Sequence, residues 1–133
     1  MDKTAILIVD DEDSNRLLIK KLLKNTSHTL LEAPDGYEAL AVFAQALKDG
    51  YQVRAIIMDF NMPVINGEEA MTQICRYHEF LTGKTLKAQD FITAIMFTAD
   101  HNYKHSCMLN CSNCPVIVKY KPDDLISLKA LVE

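Results

Sequence analysis

Two apolar runs in this chain are each stopped by acid. Ala5-Ile6-Leu7-Ile8-Val9 carries no polar residue and ends at Asp10-Asp11, and Ala55-Ile56-Ile57-Met58 ends at Asp59. Short, unbroken apolar runs of this kind fit strands buried on both faces, as in parallel sheets covered by helices. A charge that ends a buried strand sits at its carboxyl end, the edge where open α/β sheets bind ligands. If the two strands are neighbours, three carboxylates converge on one pocket. Two like charges about 4 Å apart repel by roughly 4 kcal/mol at an effective dielectric near 20, and three such pairs by roughly 12 kcal/mol. Such a pocket must take up protons or bind a cation.

The rest of the chain alternates in the same style. Ser14 is placed to cap a helix over 15–24 with Leu18, Leu22 and their neighbours inward, and 29–33 reads as a short strand. After Asp35-Gly36, the positions Leu40, Phe43, Ala44 and Leu47 follow helical spacing, and Gly50 ends that helix. Asn66-Gly67 opens a further helix with Glu68 and Glu69 in its first turn, where acids favour the helix dipole. Its inward positions are Ala70, Met71, Ile74, Cys75 and His78. Residues 83–89 read as a polar loop, 92–97 as a fourth strand, 101–110 as a weak helix and 116–118 as a fifth strand. Pro122 suits the first position of a last helix over 123–133. Strand alternating with helix implies βαβ units, a parallel sheet and right-handed crossovers. The expected architecture is an α/β, three-layer, doubly wound domain.

Bulk properties narrow the function. A chain of 133 residues with no linker, repeat or low-complexity segment suits one domain, 1–133. The net charge of −4 argues against a nucleic-acid footprint, which needs a basic face. No apolar run approaches the length of a membrane span, and Met1-Asp2-Lys3-Thr4 leads into a strand rather than a signal peptide. Cys75, Cys107, Cys111 and Cys114 without a secretory signal fit a reducing, cytoplasmic setting.

The remaining strand ends add to the acidic edge. Asp59 is followed by a loop bracketed by Pro63 and Gly67, the fourth strand ends at Thr98-Ala99-Asp100, and the fifth segment ends at Lys121-Pro122. Three carboxylates, one divalent cation and Lys121 sum to zero charge, which admits a dianionic phosphoryl group. Hard oxygen donors favour Mg²⁺ over zinc, and an Asp carboxylate is a competent phosphoryl acceptor.

Together, Val9-Asp10-Asp11-Glu12, Met58-Asp59-Phe60-Asn61-Met62-Pro63 with Asn66-Gly67, Phe97-Thr98-Ala99 and Lys121-Pro122 resemble the receiver domains of response regulators in two-component phosphorelays. The motifs occur in the family's order and span nearly the whole chain. The resemblance implies a flavodoxin-like five-stranded sheet of order 2-1-3-4-5. It implies Asp59 as phosphoacceptor. Asp11, Asp59 and the backbone carbonyl of Asn61 would hold Mg²⁺, with Asp10 acting through a bound water. Lys121 would pair with the phosphoryl group and Thr98 would swing its hydroxyl toward it. Ala99 would leave room, and Asn61 and Asp100 would tune attack of water on the acyl phosphate. The switch would bias the face built from the fourth helix, fifth strand and last helix. Implied partners are a histidine kinase or histidine phosphotransfer protein, a downstream output protein or domain, and a weak homodimer; nucleic acid and membrane are not among them. The module would be a signalling switch rather than a turnover enzyme, either stand-alone or part of a hybrid sensor kinase.

Several features depart from the family. Val118 stands where an aromatic switch residue is common, with Tyr120 sharing its strand parity as a substitute. Lys119 shares parity with Lys121, but Lys121 precedes proline as the family requires. Residues 83–89 lengthen the connection before the fourth strand. His101, His105, Cys107, Cys111 and Cys114 read as structural side chains, with a soft-metal or redox site as the rival. Two rivals to the overall reading are a Mg²⁺-dependent aspartyl-phosphate phosphohydrolase and a pseudo-receiver that is never phosphorylated. The first commonly needs an Asp two residues after its nucleophile, where this chain has Asn61.

Overall fold

The structure, a computed structural model, describes residues 3–82, 92–102 and 116–132. In chain order these form β1 (Lys3–Val9), α1 (Asp13–Leu23), β2 (Thr29–Ala33), α2 (Gly36–Lys48), β3 (Tyr51–Met58), α3 (Gly67–Thr82), β4 (Thr93–Thr98), β5 (Val116–Tyr120) and α4 (Ser127–Val132). All strand pairs are parallel, in the order β2-β1-β3-β4-β5. The loop expected at 83–89, residues 103–110 of the weak helix, and His105, Cys107, Cys111 and Cys114 lie outside the described residues.

Alternation along the central strands splits the core in two. Leu7, Val9, Ile56, Met58, Ala94 and Met96 pack with α2 and α3 residues including Phe43, Met71 and Ile74. Ile6, Ile8, Ala55, Ile57, Ile95 and Phe97 pack with Ile19 and Leu23 of α1 and Leu128 and Val132 of α4. Successive strand side chains point to opposite faces, so each apolar run fills both layers. A register shift between Ala5 and Ile6 sets Ala5 against Val53 and Ile6 against Ala55, leaving Arg54 as the extra residue of β3.

Local chemistry explains most element boundaries. The Asp35 carboxylate accepts the Glu38 N–H at 2.8 Å and caps α2; Gly50, at φ 86°, follows its end. Asn66 caps α3 by accepting the Glu69 N–H at 2.9 Å, and all five expected inward positions of that helix are buried.

Four expectations need correction. The helix after the acid pair starts at Asp13, with Glu12 at the cap position and its carbonyl accepting the Arg16 N–H; Ser14 lies inside the first turn, exposed. Its buried positions are Ile19 and Leu23, the neighbours of the two named leucines, whereas Leu18 itself is exposed and Leu22 half-buried. In α2 the fully buried stripe is Gly36, Ala39, Phe43 and Ala46, and Leu40, Ala44 and Leu47 flank it. The last helix begins at Ser127 rather than after Pro122. Before it, the Asp124 carboxylate folds back to accept the Tyr120 N–H at 2.8 Å, and i→i+3 bonds such as Leu125 N–H to Pro122 O close tight turns. The Lys121–Pro122 bond is cis.

At the amino end of the sheet, one imidazole spans both ends of the described chain. Nε2 of His28 donates to the Val132 carbonyl at 3.0 Å, and Nδ1 accepts the Thr4 hydroxyl at 2.8 Å. Among the described residues no helix is long and apolar enough to cross a membrane.

Candidate functional site

The carboxyl ends of β1, β3, β4 and β5 build one site, and the sheet ladder runs past the strands to do so. Asp10 N–H donates to Ala33 O at 3.2 Å, Asp59 N–H to Val9 O at 2.9 Å, and Lys121 N–H to Thr98 O at 2.8 Å. The carboxylate oxygens of Asp10, Asp11 and Asp59 all lie within 4.8 Å of one another. Asp10 and Asp59 are buried and Asp11 is exposed, so the cluster opens to solvent on one side. Nζ of Lys121 reaches in from β5, 2.5 Å from Oδ2 of Asp10 and 3.4 Å from Oδ1 of Asp59. Among the described residues Lys121, and not Lys119, is the lysine that meets these carboxylates.

Electrostatics sets Asp59 apart. Burial pushes its carboxyl up to about 6; the nearby Lys121 ammonium opposes the rise, and the Asp10 and Asp11 charges reinforce it. Two anionic neighbours and one ammonium leave a net negative pocket of hard oxygen donors. That donor set and spacing fit Mg²⁺.

The other expected residues surround this centre. Thr98 is fully buried, and its hydroxyl accepts the Asp100 N–H at 3.1 Å. Ala99 and Asn61 are exposed and Asp100 is half-buried. Phe60 and Met62 lie partly buried against the α2/α3 core layer. His101 stacks on Tyr120, with centroids 5.0 Å apart and an interplanar angle of 17°. Its Nε2 donates to the main-chain carbonyl of Lys121 at 3.1 Å, so the loop after β4 is fastened to the end of β5. Val118 packs toward the α2/α3 layer.

Gly67 is required by packing. A Cβ there would stand 2.3 Å from the Asp59 carbonyl oxygen, and the Gly67 N–H donates to Phe60 O at 2.8 Å. The loop from Asp59 into α3 therefore closes directly onto the backbone of Asp59. Within it Val64 takes φ 72°, a conformation that crowds a β-branched side chain.

One residue escapes the sequence reading. Arg16 bonds the Asp10 carbonyl, Asp13 and Glu32 at once. The available signal was an arginine five positions after Asp11, one helical turn into α1, facing an acidic residue of a neighbouring strand.

Known proteins resemble this chain in sequence and fold. Residues 6–109 match the response regulator receiver domain pattern. The chain is 34% identical over 106 residues to hybrid signal transduction histidine kinase F of Dictyostelium discoideum, covering 80% of this chain and 9% of that protein. It is 30% identical over 115 residues to histidine kinase 5 of Arabidopsis thaliana, covering 86% of this chain and 11% of that protein. The chain thus spans about a tenth of these relatives. Among solved structures, the receiver domain of Saccharomyces cerevisiae Ssk1, crystallised with the histidine phosphotransfer protein Ypd1, superposes with a TM-score of 0.72 at 25% identity, covering 98% of this chain and 87% of that one. Chemotaxis protein CheY4 of Vibrio cholerae superposes over the full length of both chains with a TM-score of 0.61 at 25% identity. With the sheet order, the acid cluster and the opposed lysine on one edge, the chain belongs to the response regulator receiver domain family of two-component and phosphorelay signalling.

Proposed function

We propose that this domain accepts a phosphoryl group from a phosphohistidine onto Asp59, with Mg²⁺, and answers by changing conformation. The observation that carries the reading is Lys121 Nζ set between Asp10 and Asp59 inside a cluster of three carboxylates. Asp11, Asp59 and the Asn61 carbonyl would hold Mg²⁺, with Asp10 acting through a bound water. When bound, the ion supplies charge neutralisation at the phosphoryl oxygens.

The chain's own groups do the rest. The ionised Asp59 carboxylate attacks phosphorus; the new O–P bond forms as the P–N bond of phosphohistidine breaks, and the electron pair leaves on the imidazole nitrogen. Asp59 is the nucleophile of choice because burial makes its anion poorly solvated and therefore reactive. Lys121 moves from two carboxylates toward the added phosphoryl oxygens, whose charge near −2 outweighs a single carboxylate. Ala99 leaves the entry open, and Asn61 and Asp100 govern access of hydrolytic water.

Signalling follows from the bonds already made. Thr98 turns its hydroxyl to donate to a phosphoryl oxygen and releases the Asp100 N–H that it accepts, which pulls on the loop that His101 fastens to Tyr120 and Lys121. Tyr120 thereby takes the part usually given to an aromatic at position 118. A partner that binds one arrangement better reads the state.

The donor is a histidine kinase or phosphotransfer protein. Leu17 and Leu18 are exposed on α1, and Leu18 lines a shallow recess with Phe97, Pro122 and Leu125 beside Lys121. Residues 1–133 act as one receiver unit, a switch rather than a turnover enzyme, controlling a separate or linked output.

Intact mass after incubation with acetyl phosphate and Mg²⁺ tests the reading. Wild type is expected to gain one phosphoryl mass and Asp59→Asn none. Gain at another residue overturns the site; no gain from acetyl phosphate or a phosphohistidine donor favours a pseudo-receiver; many rapid turnovers favour a hydrolase.

A further inference from the structure

We infer that Arg16 is a positioning residue for the cation site: its guanidinium fixes the peptide between Asp10 and Asp11 and so holds the Asp11 carboxylate in the cluster. The inference rests on the Mg²⁺ reading above and concerns a residue outside the four motifs quoted from the sequence.

The argument begins with how unevenly the two aspartates are held. Asp10 has a partner at every polar group. Its N–H donates to Ala33 O, its Oδ1 accepts the Glu12 N–H at 3.0 Å, its Oδ2 accepts Lys121 Nζ at 2.5 Å, and its carbonyl accepts Nη1 of Arg16 at 2.5 Å. Asp11 is exposed, and among the described residues no hydrogen bond or ion pair engages its carboxylate. Its place within 4.8 Å of the other two therefore comes from the backbone. A peptide unit is planar, so fixing the Asp10 carbonyl fixes the plane from which the Asp11 Cα departs.

Arg16 is equipped to fix it. The guanidinium is a rigid fork, and here three of its nitrogens are committed. Nη1 bonds the Asp10 carbonyl, Nη2 pairs with Asp13, and Nε donates to Oε1 of Glu32 at 3.2 Å. The Arg16 side chain is 12% exposed and its bond to the Asp10 carbonyl is partly buried, while Asp13 and Glu32 meet the guanidinium from the solvent side. Glu32 belongs to β2 and is itself gripped by Lys20 at 2.8 Å. Hydrogen bonding from Lys20, with a smaller share from Arg16, holds the Glu32 carboxyl below its ordinary range. The fork thus ties the end of β1 to the first turn of α1 and to β2. Outer-shell groups of this kind change metal affinity by about 10- to 100-fold when removed.

Charge and position make opposite forecasts, which gives the test its sign. Arg16 is a cation near an anionic pocket. If it acted through charge alone, removing it would tighten Mg²⁺ binding. If it positions Asp11, removing it weakens binding. The experiment is titration calorimetry with MgCl₂ on the full chain, for wild type, Arg16→Met and Arg16→Lys, with the melting temperature of each recorded. Arg16→Met keeps the aliphatic stem and is expected to weaken Mg²⁺ by about tenfold. Arg16→Lys keeps the charge but cannot span three acceptors, and is expected to fall between the two. Should Arg16→Met fail to fold, Arg16→Lys carries the test alone. Affinity equal to wild type or tighter in the folded variant, even with a lowered melting temperature, overturns the inference and leaves Arg16 a structural tie. Absence of Mg²⁺ uptake by wild type itself overturns the underlying reading instead.

Discussion

Nζ of Lys121 stands 2.5 Å from Oδ2 of Asp10, a contact between residues 111 positions apart in the chain. The same ammonium is 3.4 Å from Asp59, so it is held chiefly by Asp10 rather than by the proposed phosphoacceptor. Asp59 is left half-committed, with a buried oxygen and a raised proton affinity.

That arrangement makes Asp59 a cost to the metal-free fold. Its carboxyl titrates near 6 when folded, against an ordinary value of 3.8. The folded state therefore binds the proton more tightly, and this group's contribution is fully present below about pH 4. It is lost as pH rises through 6, levelling at about 3 kcal/mol. Without Mg²⁺, Asp59→Asn is expected to exceed wild type by up to about 3 kcal/mol at pH 7.5, with the gap closing near pH 4. Urea unfolding of both proteins across that range checks it; a gap that ignores pH contradicts the burial cost. Added Mg²⁺ should raise the stability of wild type and leave the variant unmoved.

Lys121→Met should separate binding from transfer. The three carboxylates that fit the cation remain, so Mg²⁺ uptake is retained. Phosphoryl gain from acetyl phosphate is expected to slow by about 10²-fold, the usual consequence of losing one preorganised donor to a developing charge. Calorimetry and time-resolved intact mass measure the two. Equal loss of both would mean that the lysine holds the pocket together instead.

Val64 carries strain that its side chain does nothing to offset. It sits at φ 72° and is 81% exposed. A left-handed conformation costs an L-residue roughly 1–2 kcal/mol, less for asparagine. Val64→Asn is therefore expected to stabilise the domain by about 1 kcal/mol, read as a higher melting temperature. A fall would show that the valine makes a contact worth more than the strain.

Gly67→Ala should act in the opposite sense. The added methyl would meet the Asp59 carbonyl at 2.3 Å, a backbone atom at the end of a central strand. An overpacked site of this kind costs about 1–3 kcal/mol. The displaced Asp59 should also accept phosphoryl more slowly than its loss of stability accounts for. Denaturant unfolding beside intact-mass kinetics tests both parts.

The legible features were those written as contrasts along the chain. Asp10, Asp11 and Asp59 stand out because each interrupts apolar residues, and Gly67 and Pro63 because they punctuate a loop. The inward face of α3 was readable from Ala70 to His78 because its spacing is regular. Less visible was helix phase in α1, where Leu17, Leu18 and Ile19 are consecutive and equally apolar. Nothing in composition selects Ile19 as the buried one; its packing against Ile6, Ile8 and Ile57 of the sheet does. The start of α4 was misplaced because the turn depends on where Asp124 points. Arg16 escaped notice because its acceptors come from three separate stretches of chain, one of them a carbonyl that no residue letter records.

His28 has a consequence for the chain as a whole. Because one ring touches both Thr4 and Val132, β1 and α4 meet at one seam, on the side of the sheet away from the acidic pocket. A few residues of flexible tether would join the seam. The molecule could then be reopened at a surface loop, yielding a permuted domain that keeps the strand ends of the acidic pocket together.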